Sequence, residues 1–409
     1  MGNGLMEGIV LFISPCAFSN RFRRSLVADS IFPTKNKKKA NTMHKTILFA
    51  GLLLATAWLG STERLVCVYN SVSDQRWGVG NFTIDDIQPH LCTHLIYSFV
   101  TIDSSFNISP NSSDKIKFPR FKNLKTSKHV WSTSNPDLKI LLEVNLMEYP
   151  FLHQLIATQE NRKTFIQSVI SVLREPAYMF DGINILWQAK TQTLIEIKEQ
   201  YAKLIQESHE AFIAEAAQNA SEKLLLTMSV SAQPVVIHQS YEVEHIADHI
   251  DFFNVMTSDI EIIFQKGQPS FATPAKSFSE AAFAVNVWHK LGVPAHKINM
   301  GIGVFGESFM IDILGTVHVV RGNLADLPEG FLSRYEVCSF LQGLLGASST
   351  TQVVFDDIAS IDAKVDYIKK YQFGGVFVLS LDLDDFNQSC CSHDSKYPVI
   401  QHLHDELIL

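Results

Sequence analysis

From Leu65 to the end of the 409-residue chain, short runs of branched apolar residues alternate with amphipathic segments, and this alternation restricts the fold more than any other feature. The apolar runs predict strands at Leu65–Tyr69, His94–Val100, Leu138–Val144, Gly182–Trp187, Leu224–Val230, Phe252–Thr257, Ile298–Ile302 and Val376–Leu381. A 3.6-residue apolar spacing predicts helices at Asn161–Leu173, Thr193–Ala217, Ser279–Leu291, Ile358–Tyr371 and Pro398–Leu407. Eight strand–helix units in one chain of this length favour a closed (β/α)8 TIM barrel over an open doubly wound sheet, so the fold class is α/β. The unit between Phe305 and Phe355 is longer than the others, with short strands and a helix around Tyr335–Gln342. A short α+β insertion is therefore expected between strand 7 and helix 7, at about 306–354.

The first 62 residues read differently. Residues 1–42 have no steady periodicity and carry the basic clusters Arg21–Arg24 and Lys37–Lys39, and they are read as an extension outside the fold. Met43-His44-Lys45 then precedes an apolar run from Ile47 to Leu59, with Gly60 and Thr62 placed for cleavage before Glu63. Residues 43–62 are thus expected to be a secretory signal peptide, since the run is shorter than the ~17 residues a membrane helix needs. Without residues 1–62 the chain keeps 26 basic and 40 acidic side chains, a formal charge of −14. A domain that acidic argues against nucleic-acid binding. Six cysteines are too few for a disulfide scaffold, but Cys67 and Cys92 flank the first predicted helix, and Cys338 lies far before Cys390 and Cys391. In a secreted chain these positions suggest bridges; free thiols in a cytosolic protein are the alternative.

Phe180 to Gln188 reads F-D-G-I-N-I-L-W-Q, an apolar strand carrying the polar residues Asp181, Asn184 and Gln188. Polar groups on such a strand are costly unless hydrogen-bonded or used in chemistry. The segment resembles the fourth barrel strand of the family 18 chitinases, D-G-x-D-x-D-W-E-Y. Asp181, Gly182 and Trp187 match it. Asn184 and Leu186 replace the other two aspartates, Gln188 the catalytic glutamate and Ala189 the tyrosine. Further matches are C-T-H-L-I-Y-S-F at Cys92–Phe99, N-R-K-T-F-I at Asn161–Ile166, M-T-S-D at Met256–Asp259, G-I-G-V-F-G at Gly301–Gly306, R-Y-E-V-C at Arg334–Cys338 and L-D-L-D-D-F at Leu381–Phe386. The resemblance covers Leu65–Leu409 and is greatest to the secreted chitinase-like lectins of vertebrates. It implies disulfides Cys67 with Cys92 and Cys338 with Cys391, and a substrate-cleft wall built by the insertion, here shortened.

Hydrolysis in that family is substrate-assisted, with a glutamic acid protonating the leaving oxygen while the sugar's acetamido group attacks. Gln188 carries no titratable proton, Leu186 cannot stabilise a developing cation, and Ser258 replaces the tyrosine that holds the acetamido group. The chain is therefore expected to be a pseudo-enzyme. The sugar-stacking tryptophans of the family are replaced as well, by Val72, Met147 and Leu379. Tyr69, Phe99 and Trp187, with Met256 and Asp259, remain as candidates for contact with a ligand. No cofactor, metal, nucleic acid or membrane contact of the processed chain is implied. The histidine pair His245 and His249 lacks the order of a zinc motif. Five sequons, at Asn81, Asn107, Asn111, Asn219 and Asn387, are candidate glycan sites in a secreted chain. The expected protein is a secreted, extracellular, monomeric glycoprotein that binds chitin or N-acetylglucosamine oligomers weakly. An active chitinase and a protein-binding or structural role with an empty cleft are the alternatives.

Overall fold

A computed structural model describes residues 63–126, 134–147, 149–188, 195–257, 274–311, 317–319, 324, 330–342, 351–389 and 396–409. The signal segment, Ser258, Asp259, Cys390 and Cys391 lie outside the described residues. Strands run in the order β1 (Arg64–Asn70), β2 (His94–Ile102), β3 (Ile108–Ser109), β4 (Lys139–Asn145), β5 (Gly182–Leu186), β6 (Leu225–Ser231), β7 (Phe252–Met256) and β8 (Ile298–Gly303). They continue with β9 (Gly306–Ile311), β10 (Val317–Val319), β11 (Phe331–Leu332), β12 (Thr351–Phe355) and β13 (Gly375–Leu379). Eight of them form one parallel sheet in the order β1-β13-β8-β7-β6-β5-β4-β2, and pairing of β1 with β2 closes it into a barrel. Closure leaves no open edge among these strands.

The helices are α1 (Ser112–Thr126), α2 (Leu152–Ala157), α3 (Gln159–Leu173), α4 (Ile195–Asn219), α5 (Pro234–Ser240), α6 (Val243–Ile246), α7 (Pro274–Lys290), α8 (Arg334–Leu341), α9 (Ile358–Tyr371) and α10 (Pro398–Leu407). Asp357 caps α9, accepting from the Ser360 amide, and Gln372 closes it in a left-handed conformation. A second sheet, in which β9 pairs antiparallel with β10, β11 and β12, forms the insertion with α8.

Two expectations need correction. No α-helix lies between Cys67 and Cys92; three 3-10 turns, Ser73–Gln75, Gly78–Gly80 and Ile84–Asp86, fill the connection. Phe82, Ile84, Ile87 and Leu91 plug the core from this loop, and Gly78 takes a left-handed φ of 65° that a helix would not accept. Cys67 and Cys92 do form the expected disulfide. Closing a 25-residue separation contributes about 3–4 kcal/mol on the chain-entropy model. The second correction is α1, which the apolar spacing did not show. Its buried stripe is Asp114, Lys117, Phe118 and Phe121, so two of four inward positions are ionisable. Both are paired, Asp114 accepting from Tyr97 Oη at 2.6 Å and Lys117 bridging to Asp74 at 2.8 Å.

Alternate residues of each barrel strand point inward. Val66, Val68, Ile96, Leu141, Phe252, Met256 and Phe377 form one apolar cluster, with Leu186, Leu225 and Leu379 packed against it. A polar chain runs through the interior. Arg64 Nε donates to Asn299 Oδ1 at 3.1 Å, Asn299 Nδ2 to Asn254 Oδ1 at 2.9 Å, and Asn254 Nδ2 to Asn184 Oδ1 at 3.4 Å. The outward positions pack on the helices; Trp288 of α7 is fully buried and donates to the Ser231 carbonyl at 2.9 Å.

Candidate functional site

The C-terminal ends of the barrel strands form the mouth, where enzymes of this architecture place their chemistry. Strand β5 crosses the whole barrel wall, so its residues sample both ends. Asp181 precedes it and stands at the floor, not the mouth. Its carboxylate meets Lys125 Nζ at 2.8 Å and Lys139 Nζ at 3.8 Å, and accepts from the Ile140 amide at 2.7 Å. Asp181 thus ties β5 to β4 and to the end of α1.

Asn184 lies one layer higher and is fully buried. Its Nδ2 donates to Glu143 Oε2 at 2.6 Å and Ser229 Oγ at 2.8 Å, while its Oδ1 accepts from Thr227 Oγ1 at 2.7 Å. Every polar atom of this amide is engaged. Glu143 is directly beside it in register on β4, 3 % exposed, with its other oxygen accepting from Ser98 Oγ at 2.7 Å. Burial pushes the Glu143 carboxyl up to about 7, against the hydrogen bonds from Ser98 and Asn184 that favour its ionised form. An aspartate at position 184 would face this carboxylate from the adjacent strand. A neutral amide donor is what the position accepts.

Leu186 and Gln188 end the strand at the mouth. Leu186 is half-buried and packs on the apolar cluster with Met256 and Leu379. Gln188 is half-buried in the same direction along the strand. The expectation that Trp187 and Tyr69 offer a face to a sugar is corrected. Trp187 is 3 % exposed, its ring packed at a tilt on Tyr201 of α4 with centroids 4.0 Å apart, and its carbonyl accepts from Tyr241 Oη. Its odd position points it out of the barrel onto the helices. Tyr69 is likewise enclosed by Phe82, Tyr97 and Phe121. Met256 is buried, whereas Ser258 and Asp259 lie outside the described residues.

Phe99 is the candidate that the fold leaves open. It is 42 % exposed and lines a hollow of about 180 Å³ at the mouth ends of β2 and β4, with Asn145, Tyr149 and Pro150. Tyr149 is held by a hydrogen bond from its Oη to the Asp103 carbonyl at 2.7 Å, and its ring meets Phe151 edge-on at 5.8 Å. The acidic run after β13 is structural. Asp382 pairs with Arg76 at 2.7 Å, and Asp384 accepts from the Val399 and Ile400 amides at the start of α10. Burial raises Asp384 to about 6 despite these donors. Among the described residues no cluster of three or more His, Cys, Asp or Glu could hold a metal ion.

With the strand-by-strand geometry in view, the comparisons with known proteins decide the family. The model of glycosyl hydrolases family 18 matches residues 64–384. The chain belongs to that family. It is 32 % identical over 392 residues to human chitinase-3-like protein 2, covering 88 % of this chain and 97 % of that protein. It is also 32 % identical over 397 residues to mouse chitotriosidase-1, covering 90 % and 83 %. Among solved structures, human YKL-39, a pseudo-chitinase with retained chitooligosaccharide binding properties, superposes with a TM-score of 0.71 at 30 % identity, covering 84 % of this chain and 99 % of that one.

Against the family 18 pattern, Glu143 is the residue that motif reading missed. Its signal in the sequence is a lone carboxylate on the inward parity of I-L-L-E-V. Cys338 is disulfide-bonded, and its expected partner Cys391 lies outside the described residues. Of the sequons, Asn111 is exposed and uses its Oδ1 to cap α1, and its amide nitrogen has no acceptor among the described residues. The side-chain amides of Asn81, Asn107, Asn219 and Asn387 each donate within the fold. No helix among the described residues is long and apolar enough to cross a membrane.

Proposed function

We propose that this family 18 chain is a secreted, catalytically inactive, monomeric chitinase-like glycoprotein that binds N-acetylglucosamine oligomers weakly at the barrel mouth. The observation that carries the inactive reading is Glu143. It is the carboxylate that hydrogen-bonds the motif strand inside the barrel, and both its oxygens are spent on Ser98 and Asn184 below the mouth. A general acid must come within hydrogen-bond reach of the leaving oxygen, and Glu143, nearly without exposure, has no such access. Gln188 at the mouth reaches farther but has no proton to give, and Leu186 turns the neighbouring position apolar.

Binding rests on different residues. Phe99 offers an exposed ring in a hollow it shares with Tyr149 and the Asn145 amide, suited to one sugar ring. The disulfide Cys67–Cys92 and the apolar run at Ile47–Leu59 support export into an oxidising compartment. Calorimetric titration with chitohexaose tests this reading. The expected outcome is weak saturable heat, a dissociation constant of about 0.1–1 mM, with intact oligomer recovered afterwards. Absence of heat up to several times that range would leave the empty-cleft, protein-binding role instead, and shortened oligomer would restore the enzyme.

A further inference from the structure

The floor of the barrel, opposite the mouth, holds a cavity of about 570 Å³ between the starts of β4, β5 and β6 and the ends of α1 and α3. That volume is in the range of small-molecule sites. Its lining carries five cations, Lys122, Lys125, Lys139, Arg174 and Lys223, against the two acids Asp181 and Glu222. The lining also includes the apolar side chains of Leu173, Met179 and Phe180.

The ion pairs are unevenly satisfied. Lys125 is held by Asp181, Arg174 by Glu215 at 2.6 Å, and Lys223 by Asp251 at 2.7 Å. Lys139 is shared between Asp181 and Glu222, whose side chain is 86 % exposed. Lys122 donates to the Pro176 carbonyl at 2.8 Å and meets no carboxylate among the described residues. One positive charge is therefore left over in a domain that is otherwise strongly acidic. Met179 supplies the second observation. It lines the cavity, is 46 % exposed and is held at φ 57°, a left-handed conformation that is unfavourable for a methionine.

We propose that this floor cavity binds a small organic anion with an apolar body, a ring or chain bearing one carboxylate, sulfate or sulfonate. The acidic head sits between Lys122 and Lys139, displacing Glu222, and the body lies on Met179 and Phe180. The site is independent of the mouth and of any oligosaccharide bound there.

Naphthalene-2-sulfonate is a suitable probe, titrated into the purified protein labelled at its methionine methyls. The expected result is saturable binding with a shift of the Met179 methyl signal, identified by its loss in Met179→Gly. Lys122→Glu should weaken binding about tenfold or more. The neutral naphthalene-2-sulfonamide should bind at least about tenfold more weakly than the sulfonate. Met179→Gly should weaken the probe without lowering the unfolding midpoint, because glycine accepts the left-handed backbone freely. Equal affinity for the neutral analogue, indifference to Lys122→Glu, or no saturable binding would overturn the proposal and leave Lys125 and Arg174 as cations at the C-terminal ends of α1 and α3.

Discussion

The floor and the mouth of the barrel are built from the same strands under opposite rules. At the floor two aspartates are retained, and each ties neighbouring strands together and holds a lysine. Asp181 before β5 accepts the amide of Ile140 on β4 and holds Lys125; Asp251 before β7 repeats the device, accepting the amide of Leu226 on β6 at 2.8 Å and holding Lys223. At the mouth, five residues along from Asp181, Leu186 joins the apolar packing of Met256 and Leu379. Motif letters on one strand thus answer to different demands. Those at the floor hold strands in register, and Leu186 at the mouth serves apolar packing.

The comparison can be broken most directly at the floor. Asp181→Ala leaves Lys125 without its carboxylate and the Ile140 amide without its side-chain acceptor, and should cost about 2–4 kcal/mol in urea unfolding. A loss below about 0.5 kcal/mol would show that the floor is as relaxed as the mouth.

Glu143, midway between the two ends, should give the next largest effect. The folded chain holds its carboxyl at about 7, against 4.5 as the ordinary value. The fold therefore keeps a proton that the unfolded chain gives up, so this group's contribution falls as pH rises from about 4.5 to about 7 and is level above. Glu143→Gln should be more stable than the native chain at pH 8, by roughly 1–3 kcal/mol, and indistinguishable from it at about pH 4. An equal effect at both pH values would contradict a buried, neutral-leaning carboxyl.

The smallest expected effect is at the mouth. Phe99→Ala removes a half-exposed ring and should change stability by less than about 0.5 kcal/mol. It should weaken chitohexaose binding by about five- to tenfold, a stacking contact's worth. Unchanged affinity would move the sugar site away from the hollow at β2 and β4.

Much of this architecture could be read from the residues. The eight barrel strands follow their apolar runs within about two residues, and α9 and α10 fall where their periodicity places them. The missing pieces share a cause. Helix α1 was hidden because its buried stripe contains Asp114 and Lys117, and pairing of charges across space leaves no trace in periodicity. The orientation of Trp187 was legible in principle, since odd residues of β5 face the helices, but the aromatic type suggested stacking on a sugar. Glu143 was visible as a letter; only the register of β4 against β5 shows that it meets Asn184.

The central claim is that the mouth binds without cleaving, and its most direct measurement is chromophore release from a chromogenic chitooligosaccharide across pH 3–9. The account predicts no release above the blank for the native chain, and none for Gln188→Glu while Leu186 and Ser258 remain. A bell-shaped release profile that Gln188→Ala abolishes would contradict it.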